Sequence, residues 1–160
     1  MATVHRQENT DNPARLRRII AAFEALPHPV IFPLHPRTRD RLAAEQIHVS
    51  TKSMLRLVDP LGYQDMMGLV RQSRGVLTDS GGLQREACAL GVACFVLRDE
   101  SEWVELIEEG RALLVGTDPA RIVQRVIQGM PAVPRTEMGL SPVDAIVDDL
   151  LAVWGRHEQF

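Results

Sequence analysis

The stretch GVLTDSGGLQREACAL, residues 75–90, decides the fold prediction. Its first five residues are mostly apolar or β-branched, which is typical of a short buried strand. The residues from Gly82 onward have the composition of a helix, and Ser80 and Gly81 before them are turn residues. This stretch therefore predicts a strand that passes through a tight turn directly into a helix.

The same alternation of strand and helix extends in both directions from this unit. Strand-like apolar runs fall at residues 29–34, 55–59, 93–97 and 112–116, with a three-residue run at 2–4. Helical patterns fall at about residues 12–26, 38–46, 63–73, 82–90, 102–109, 118–129 and 142–156. Asn12 is expected to cap the first of these helices, with Pro13 at its first position. The pattern predicts an α/β fold, a Rossmann-like parallel sheet with helices on both faces.

Length and composition fit one domain over residues 1–160, and the last helix, 142–156, is one that could cross to a partner domain. Apolar runs fall far short of the roughly 20 residues that span a bilayer, so no membrane partner is expected.

Cys88 and Cys94 lie within a predicted helix and strand. We interpret them as reduced core thiols, which predicts a cytoplasmic location.

Charge is unevenly distributed along the chain. The net charge of −3 argues against general nucleic-acid binding, but residues 1–98 hold 13 Lys and Arg against 9 Asp and Glu. All but one of these bases are arginines, which bind phosphate or carboxylate with two parallel hydrogen bonds. The distribution suits a small anionic ligand, although uneven surface charge without a ligand is equally compatible with it.

The turn Asp79-Ser80-Gly81-Gly82 is the sharpest candidate site. Its glycines let backbone N–H groups approach a ligand, and the helix N-terminus adds about half a positive charge, which favours an anion. Glu86 follows one turn later, where its carboxylate could accept hydrogen bonds from a ribose diol. The alternative is a purely structural turn in which Asp79 or Ser80 caps the helix, since no complete phosphate-binding fingerprint is present.

Other candidates follow the remaining strands, because ligands of parallel sheets bind at the carboxyl ends of the strands. They are His5, Arg6, Glu8 and Asn9 after the first run, His35 and Arg37 after the second, Tyr63 and Met66 after the third, and Arg98 after the fifth. Each has a structural alternative: surface exposure for His5, local ion pairing for Arg98, and core packing for the methionines. No Cys/His cluster has the spacing of metal ligands, and neither a metal nor a cofactor is predicted.

Taken together, these motifs resemble one family in order and spacing. HRQEN (5–9), HPRT (35–38), GYQDM (62–66), LTDSGG-x-Q-x-E-A (77–87) and LRDESEW (97–103) are similar to those of the non-hydrolysing UDP-N-acetylglucosamine 2-epimerases. The tract TVHRQENTDNPARL and the SEWVE element look closest to the branch that acts on UDP-2,3-diacetamido-2,3-dideoxyglucuronate. The resemblance implies a glycosyltransferase-B-like fold, of which this chain matches the C-terminal, nucleotide-binding half.

The resemblance also implies roles for individual residues. Ser80, Gly81 and Gly82 would bind the diphosphate of UDP or a UDP-sugar, and Glu86 the ribose. Tyr63 and Met66 would lie near the uracil, Arg98 would contribute to nucleotide binding, and His5 would act in catalysis. The remaining strand-end residues are candidates for substrate or allosteric binding: Arg6, Glu8, Asn9, His35 and Arg37.

The implied reaction is inversion at C2: UDP is eliminated as the C2 proton is removed, and UDP and a proton then add back to give the opposite configuration at C2. The family's N-terminal domain, which supplies the acid and base carboxylates, has no counterpart in the match. The chain is therefore expected to be the UDP-binding half of an isomerase, inactive by itself and in need of that domain in cis or in trans. A homodimer is also considered.

Two other functions remain open from the sequence: a nucleotide-sugar-binding module without catalysis, and a glycosyltransferase domain of the same fold. His5 in its HRQEN context argues against the glycosyltransferase. One departure from the family is notable, because Ser101-Glu102-Trp103 stands where one branch has Thr-Glu-Arg.

Overall fold

In the computed structural model, which describes residues 1–130, strands and helices alternate along the chain. The strands are β1 (Ala2–Thr3), β2 (Val30–Pro33), β3 (Leu55–Val58), β4 (Gly75–Thr78), β5 (Ala93–Val96) and β6 (Ala112–Leu114). The helices are α1 (Gln7–Thr10), α2 (Pro13–Ala25), α3 (Pro36–Ala44), α4 (Tyr63–Gln72), α5 (Gly81–Ala89), α6 (Val104–Glu108) and α7 (Pro119–Gln128).

The strands pair in parallel and form two hydrogen-bonded ladders, β1-β4-β5-β6 and β2-β3. Strand β2 packs beside β1 without joining its ladder, so the strands follow the order β3-β2-β1-β4-β5-β6. The chain moves outward from β1 to β3 and then returns to β4 on the other side of β1. Sheets of this kind bind ligands outside the carboxyl ends of the strands at such a reversal.

Strand β5 shows how the sheet is covered on both faces. Phe95 packs in one buried cluster, with the apolar faces of α2 and α7, whereas Cys94 and Val96 pack in a second cluster with α4, α5 and α6. Because successive side chains of a strand point to opposite faces, the two clusters lie on opposite sides of the sheet. The predicted fold class, a parallel sheet with helices on both faces, is confirmed.

Local signals in the sequence account for several helix ends. Asn12 caps α2 through a hydrogen bond that its side chain accepts from the backbone N–H of Arg15, and Pro13 is the first helical residue, as predicted. The prediction of a helix over 102–109 was too long, because α6 begins only at Val104. The Ser101 hydroxyl accepts a hydrogen bond from the N–H of Trp103, and this local turn delays the helix.

The short helix α1 was not predicted, and it lies within the HRQEN motif, directly after β1. The predicted helix 142–156 lies outside the described residues, and the single domain over 1–160 stays a prediction. Among the helices of residues 1–130, none is long and apolar enough to cross a membrane.

Candidate functional site

A cleft of about 420 Å³ opens at the carboxyl ends of the central strands. Its lining combines strand ends, the loop before α4 and the first turns of α4 and α5: Thr3, His5, Pro33, His35, Pro60, Leu61, Tyr63, Met66, Met67, Ser80, Gly82, Leu83 and Glu86. This is the reversal point of the sheet. Seven of the predicted site residues line it: His5, His35, Tyr63, Met66, Ser80, Gly82 and Glu86.

The N-terminus of α5 lies at this cleft, where Ser80 and Gly82 are part of the lining. Ser80 is the N-cap: its hydroxyl oxygen accepts from the N–H of Leu83 at 3.4 Å, and its carbonyl accepts from the N–H of Gln84 at 3.1 Å. The first four N–H groups of a helix have no partner within the helix, so those of Gly81 and Gly82 remain for another acceptor. Together with the helix dipole they form a site for an anion.

The two glycines of the turn face different surroundings. A Cβ atom on Gly82 would meet nothing within 4 Å, and Gly82 lines the cleft. A Cβ atom on Gly81 would lie 2.8 Å from the Glu102 carboxylate and 3.4 Å from both Arg6 and the Trp103 indole nitrogen. The sequence treated both glycines as open to a ligand, but only Gly82 leaves room on the cleft side.

His5 and His35 form one wall of the cleft. Their rings are stacked, with centroids 5.3 Å apart and planes 30° from parallel. Burial lowers the pKa of His5 below 6.5; the charge of Asp79 opposes this effect, and the charges of His35 and Arg6 add to it. Added negative charge in the cleft would favour the protonated form of His5.

An apolar wall faces the anion site. It consists of Pro60, Leu61, Tyr63, Met66 and Met67, at the start of α4 and in the loop before it. Tyr63 is 68% exposed, which is unusual for a large aromatic side chain, while Met66 and Met67 are partly buried against the core. A flat, uncharged ring could pack here, beside an anion bound at α5.

Arg98 does not line this cleft. It is buried, and it donates to Glu8 at 2.6 Å through Nε and to Glu102 at 2.7 Å through NH1. Glu102 also pairs with Arg6 at 2.8 Å. Burial raises the pKa of Glu102, but the hydrogen bond and charge of Arg98 and the charge of Arg6 outweigh it and lower that pKa. The alternative of local ion pairing therefore describes Arg98, with Glu8 as an additional partner.

Two other predicted residues also serve internal contacts. Asn9 is fully buried, and its side chain donates to Asp79 and to the carbonyl of Leu97, both at 3.0 Å. Arg37 donates to Thr10 at 3.0 Å and pairs with Asp11 at 2.7 Å. Neither side chain lines the cleft, so these residues shape the loop that carries His5.

Several contacts of the site were not predicted. The Trp103 indole N–H donates to the carbonyl of Gly81 at 2.8 Å, and the Arg85 guanidinium stacks on the indole, 4.5 Å from its centre. The hydroxyls of Thr3 and Thr78 are hydrogen bonded at 2.7 Å across the ends of β1 and β4. The strand-end rule already pointed to Asp79, which the sequence interpretation assigned only to helix capping. Within residues 1–130, no group of three His, Cys, Asp or Glu side chains is arranged to hold a metal ion.

Comparison with known proteins identifies the family. Residues 1–137 match the sequence profile of the UDP-N-acetylglucosamine 2-epimerases, which is most of the chain. The chain belongs to the UDP-N-acetylglucosamine 2-epimerase family. A relative from Pseudomonas aeruginosa, UDP-2,3-diacetamido-2,3-dideoxy-D-glucuronate 2-epimerase, is 43% identical over 127 residues, which are 78% of this chain and 35% of that protein.

Solved structures of 2-epimerases share the fold. The Methanocaldococcus jannaschii UDP-GlcNAc 2-epimerase in complex with UDP-GlcNAc and UDP superposes with a TM-score of 0.82 at 32% identity, over 94% of this chain and 44% of that one. The calicheamicin glycosyltransferase superposes with a TM-score of 0.58 at 18% identity, over 79% of this chain and 32% of that one. The second likeness concerns the fold alone and agrees with the expected half of a glycosyltransferase-B-like architecture.

The chain spans between a third and a half of the length of these 2-epimerases. The part it shares with them contains the cleft, the N-terminus of α5 and the HRQEN motif.

Proposed function

We propose that this chain binds the UDP moiety of a UDP-2-acetamido sugar and forms the nucleotide-binding half of a 2-epimerase. UDP-N-acetylglucosamine and its 2,3-diacetamido uronate relative are the two substrates considered. The observation that carries the proposal is the N-terminus of α5, whose N-cap Ser80 and second residue Gly82 line the cleft. An anion with two phosphates suits such a helix end.

The other walls of the cleft fit the remaining parts of UDP. Glu86 lies one turn beyond Gly82, where its carboxylate would accept hydrogen bonds from the ribose hydroxyls while the diphosphate stays at the helix end. Tyr63 and Met66 would pack against the uracil ring. His5 and His35 line the same cleft as the start of α5, so we assign them to the diphosphate and the sugar.

The reaction class follows from the family together with this arrangement. The proposed chemistry is removal of the C2 proton with loss of UDP from C1, followed by re-addition of UDP at C1 and return of a proton to the opposite face of C2. His5 is the candidate catalytic residue of this half. The cytoplasmic location and a homodimer stay predictions from the sequence.

Isothermal titration of the chain with UDP tests the proposal directly. Binding is expected, because the α5 N-terminus and the apolar wall are both formed in the free protein. Absence of both a heat signal and a thermal shift at millimolar UDP would contradict it. A titration with pyrophosphate separates binding of the diphosphate from binding of the nucleoside.

Replacement of Glu86 by Gln is expected to weaken UDP binding about tenfold while leaving pyrophosphate binding unchanged. The carboxylate is assigned to the ribose, and hydrogen bonds to a charged group contribute about 1.5–3 kcal/mol. Calorimetry on both ligands measures the difference. Glu105→Gln makes the same charge change at an exposed position of α6 outside the cleft, and should alter neither affinity. Equal losses for the two ligands would show that Glu86 only shapes the turn.

Binding of UDP-N-acetylglucosamine is expected to take up a proton and to strengthen as the pH falls. Burial holds the pKa of His5 below 6.5 in the free protein, so His5 is mostly neutral at neutral pH. A bound diphosphate favours the imidazolium and raises that pKa. The stability of the free protein depends on pH in the opposite direction. Because burial lowers the pKa of His5 in the folded state, the unfolded chain takes up the proton first as the pH falls, and the free energy of unfolding decreases below pH 6.5.

Calorimetry in two buffers of different ionisation enthalpy measures this proton uptake. The sugar ester of UDP is the suitable probe, because its diphosphate does not titrate in the range in which histidine does. His5→Gln should abolish the pH dependence, whereas His28→Gln, exposed at the opposite end of the sheet, should retain it. A proton count of zero in the wild type would refute the assignment of His5 to the diphosphate.

A further inference from the structure

Asp79 is a fully buried carboxylate at the end of β4, next to the cleft but not part of its lining. Its two oxygens accept from the backbone N–H of His5 at 3.0 and 3.2 Å. One of them also accepts from the backbone N–H of Arg6 and from the side-chain amide of Asn9, each at 3.0 Å. All three donors belong to the HRQEN segment that follows β1.

A buried carboxylate is costly unless hydrogen bonds or an opposite charge satisfy it. Within residues 1–130, Asp79 has no salt bridge to an arginine or lysine, and the loop after β1 supplies its donors instead. Asn9 secures the arrangement further, because it also donates to the carbonyl of Leu97 and accepts from Arg15 at 3.1 Å. The loop that carries His5 is thus built around the Asp79 carboxylate.

We propose that Asp79 is a positioning residue that fixes the backbone of His5 and Arg6 against the N-terminus of α5. The inference rests on the proposed function, since it concerns how His5 is presented to the diphosphate. Asp79 immediately precedes Ser80, the cap of α5, so one residue ties the two sides of the anion site together. Neither side can shift without loss of hydrogen bonds to this carboxylate.

Asp79 also supplies negative charge behind His5. The groups that face His5 are Asp79 from the end of β4, His35 from the end of β2 and Arg6 from its own loop; Glu86 of α5 lines the same cleft. Burial lowers the pKa of His5, and Asp79 is the group that raises it. Removal of the Asp79 charge therefore favours neutral His5 and weakens its attraction for an anion.

The test is Asp79→Asn, which keeps the shape of the side chain but removes its charge and places an amide N–H₂ among the loop donors. We expect the amide proton resonances of His5 and Arg6 to move upfield and the titration midpoint of the His5 ring to move to lower pH. We also expect UDP affinity to fall about five- to tenfold at mildly acidic pH. The exposed rings of His28 and His48 serve as internal references.

Asp118→Asn is the matched control. Asp118 also accepts a backbone N–H, that of Arg121 at 2.8 Å, but it caps α7 and does not line the cleft. This variant should leave the His5 titration and UDP affinity unchanged. A folded Asp79→Asn protein with unaltered His5 resonances, titration and UDP affinity would overturn the inference.

The two proposals fail separately. If the wild-type protein does not bind UDP, the proposed function fails, while the His5 amide shift and ring titration still test Asp79. If Asp79→Asn does not fold, the temperature coefficients of the backbone amide protons of the wild-type protein test the inference. Those of His5 and Arg6 should have the small temperature coefficients of hydrogen-bonded protons, and coefficients typical of solvent-exposed amides would reject the inference.

Discussion

Gly82→Val is expected to abolish measurable binding of UDP by this chain. Gly82 lines the cleft together with Ser80, and its N–H is one of the two at the α5 N-terminus that have no acceptor within residues 1–130. Valine would place two methyl groups in the space that a phosphate needs to approach that N–H. A loss of more than about 3 kcal/mol, or roughly a hundredfold, is expected by calorimetry.

Two other valine substitutions separate this effect from general damage. Gly68→Val changes a glycine of α4 at which an added Cβ would also meet nothing within 4 Å. Gly68 does not line the cleft, so UDP binding should persist. Gly81→Val would drive a side chain against Glu102 and Trp103, and should lower the free energy of unfolding by about 1–3 kcal/mol. If Gly82→Val binds UDP as the wild type does, the diphosphate is not bound at α5.

The 160-residue chain alone is expected to show no exchange of the C2 proton of UDP-N-acetylglucosamine. Inversion at C2 requires a group that removes the proton on one face and another that delivers it on the opposite face. Among the cleft residues that the structure describes, His5, His35 and Glu86 are the candidates, and Glu86 is assigned to the ribose. The two histidines stack on each other, so both would act from the same side of a bound sugar.

A positioned acid or base contributes about 10²–10⁴-fold to a rate, so without a second group turnover should fall below detection. Proton NMR in deuterated buffer measures it, with UDP-N-acetylglucosamine and with the diacetamido uronate. Deuterium at C2 or a new anomeric signal would contradict the interpretation that this chain holds only half of the catalytic site. As the positive control, fusion to the part of the Pseudomonas aeruginosa relative that this chain does not match should produce exchange, which His5→Ala should then largely remove.

The order of the main elements could be predicted because most strands are compact apolar runs and several helices have a clear start. Asn12-Pro13 is such a start, and the structure confirms its cap. The cleft could be approximated because parallel strands end at one edge. His5, Ser80 and Glu86 come from distant parts of the sequence and lie around one cavity for that reason.

The hydrogen-bond and ion-pair partners of individual side chains could not be predicted in the same way. Arg98 was a candidate because it follows a strand, and the resemblance implied a role in nucleotide binding. In the structure its guanidinium donates to Glu8, which lies 90 positions earlier in the chain. For Asp79 the sequence offered only the alternative that it or Ser80 caps the helix, whereas its donors are in the segment after β1. Such contacts depend on the angle of a loop, which no local pattern specifies.

The seam between β1 and β2 has a consequence for the cooperativity of the fold. The two strands belong to separate ladders, so β2 and β3 are held against β1 by a shared buried core and by side-chain contacts such as that of the Thr38 hydroxyl with the Val4 carbonyl, and not by ladder hydrogen bonds. The cleft lies across this seam, with His5 and Ser80 on one side and Pro33 on the other. A bound nucleotide would bridge the two units and couple their unfolding, and so would act as a structural element of the sheet as well as its ligand.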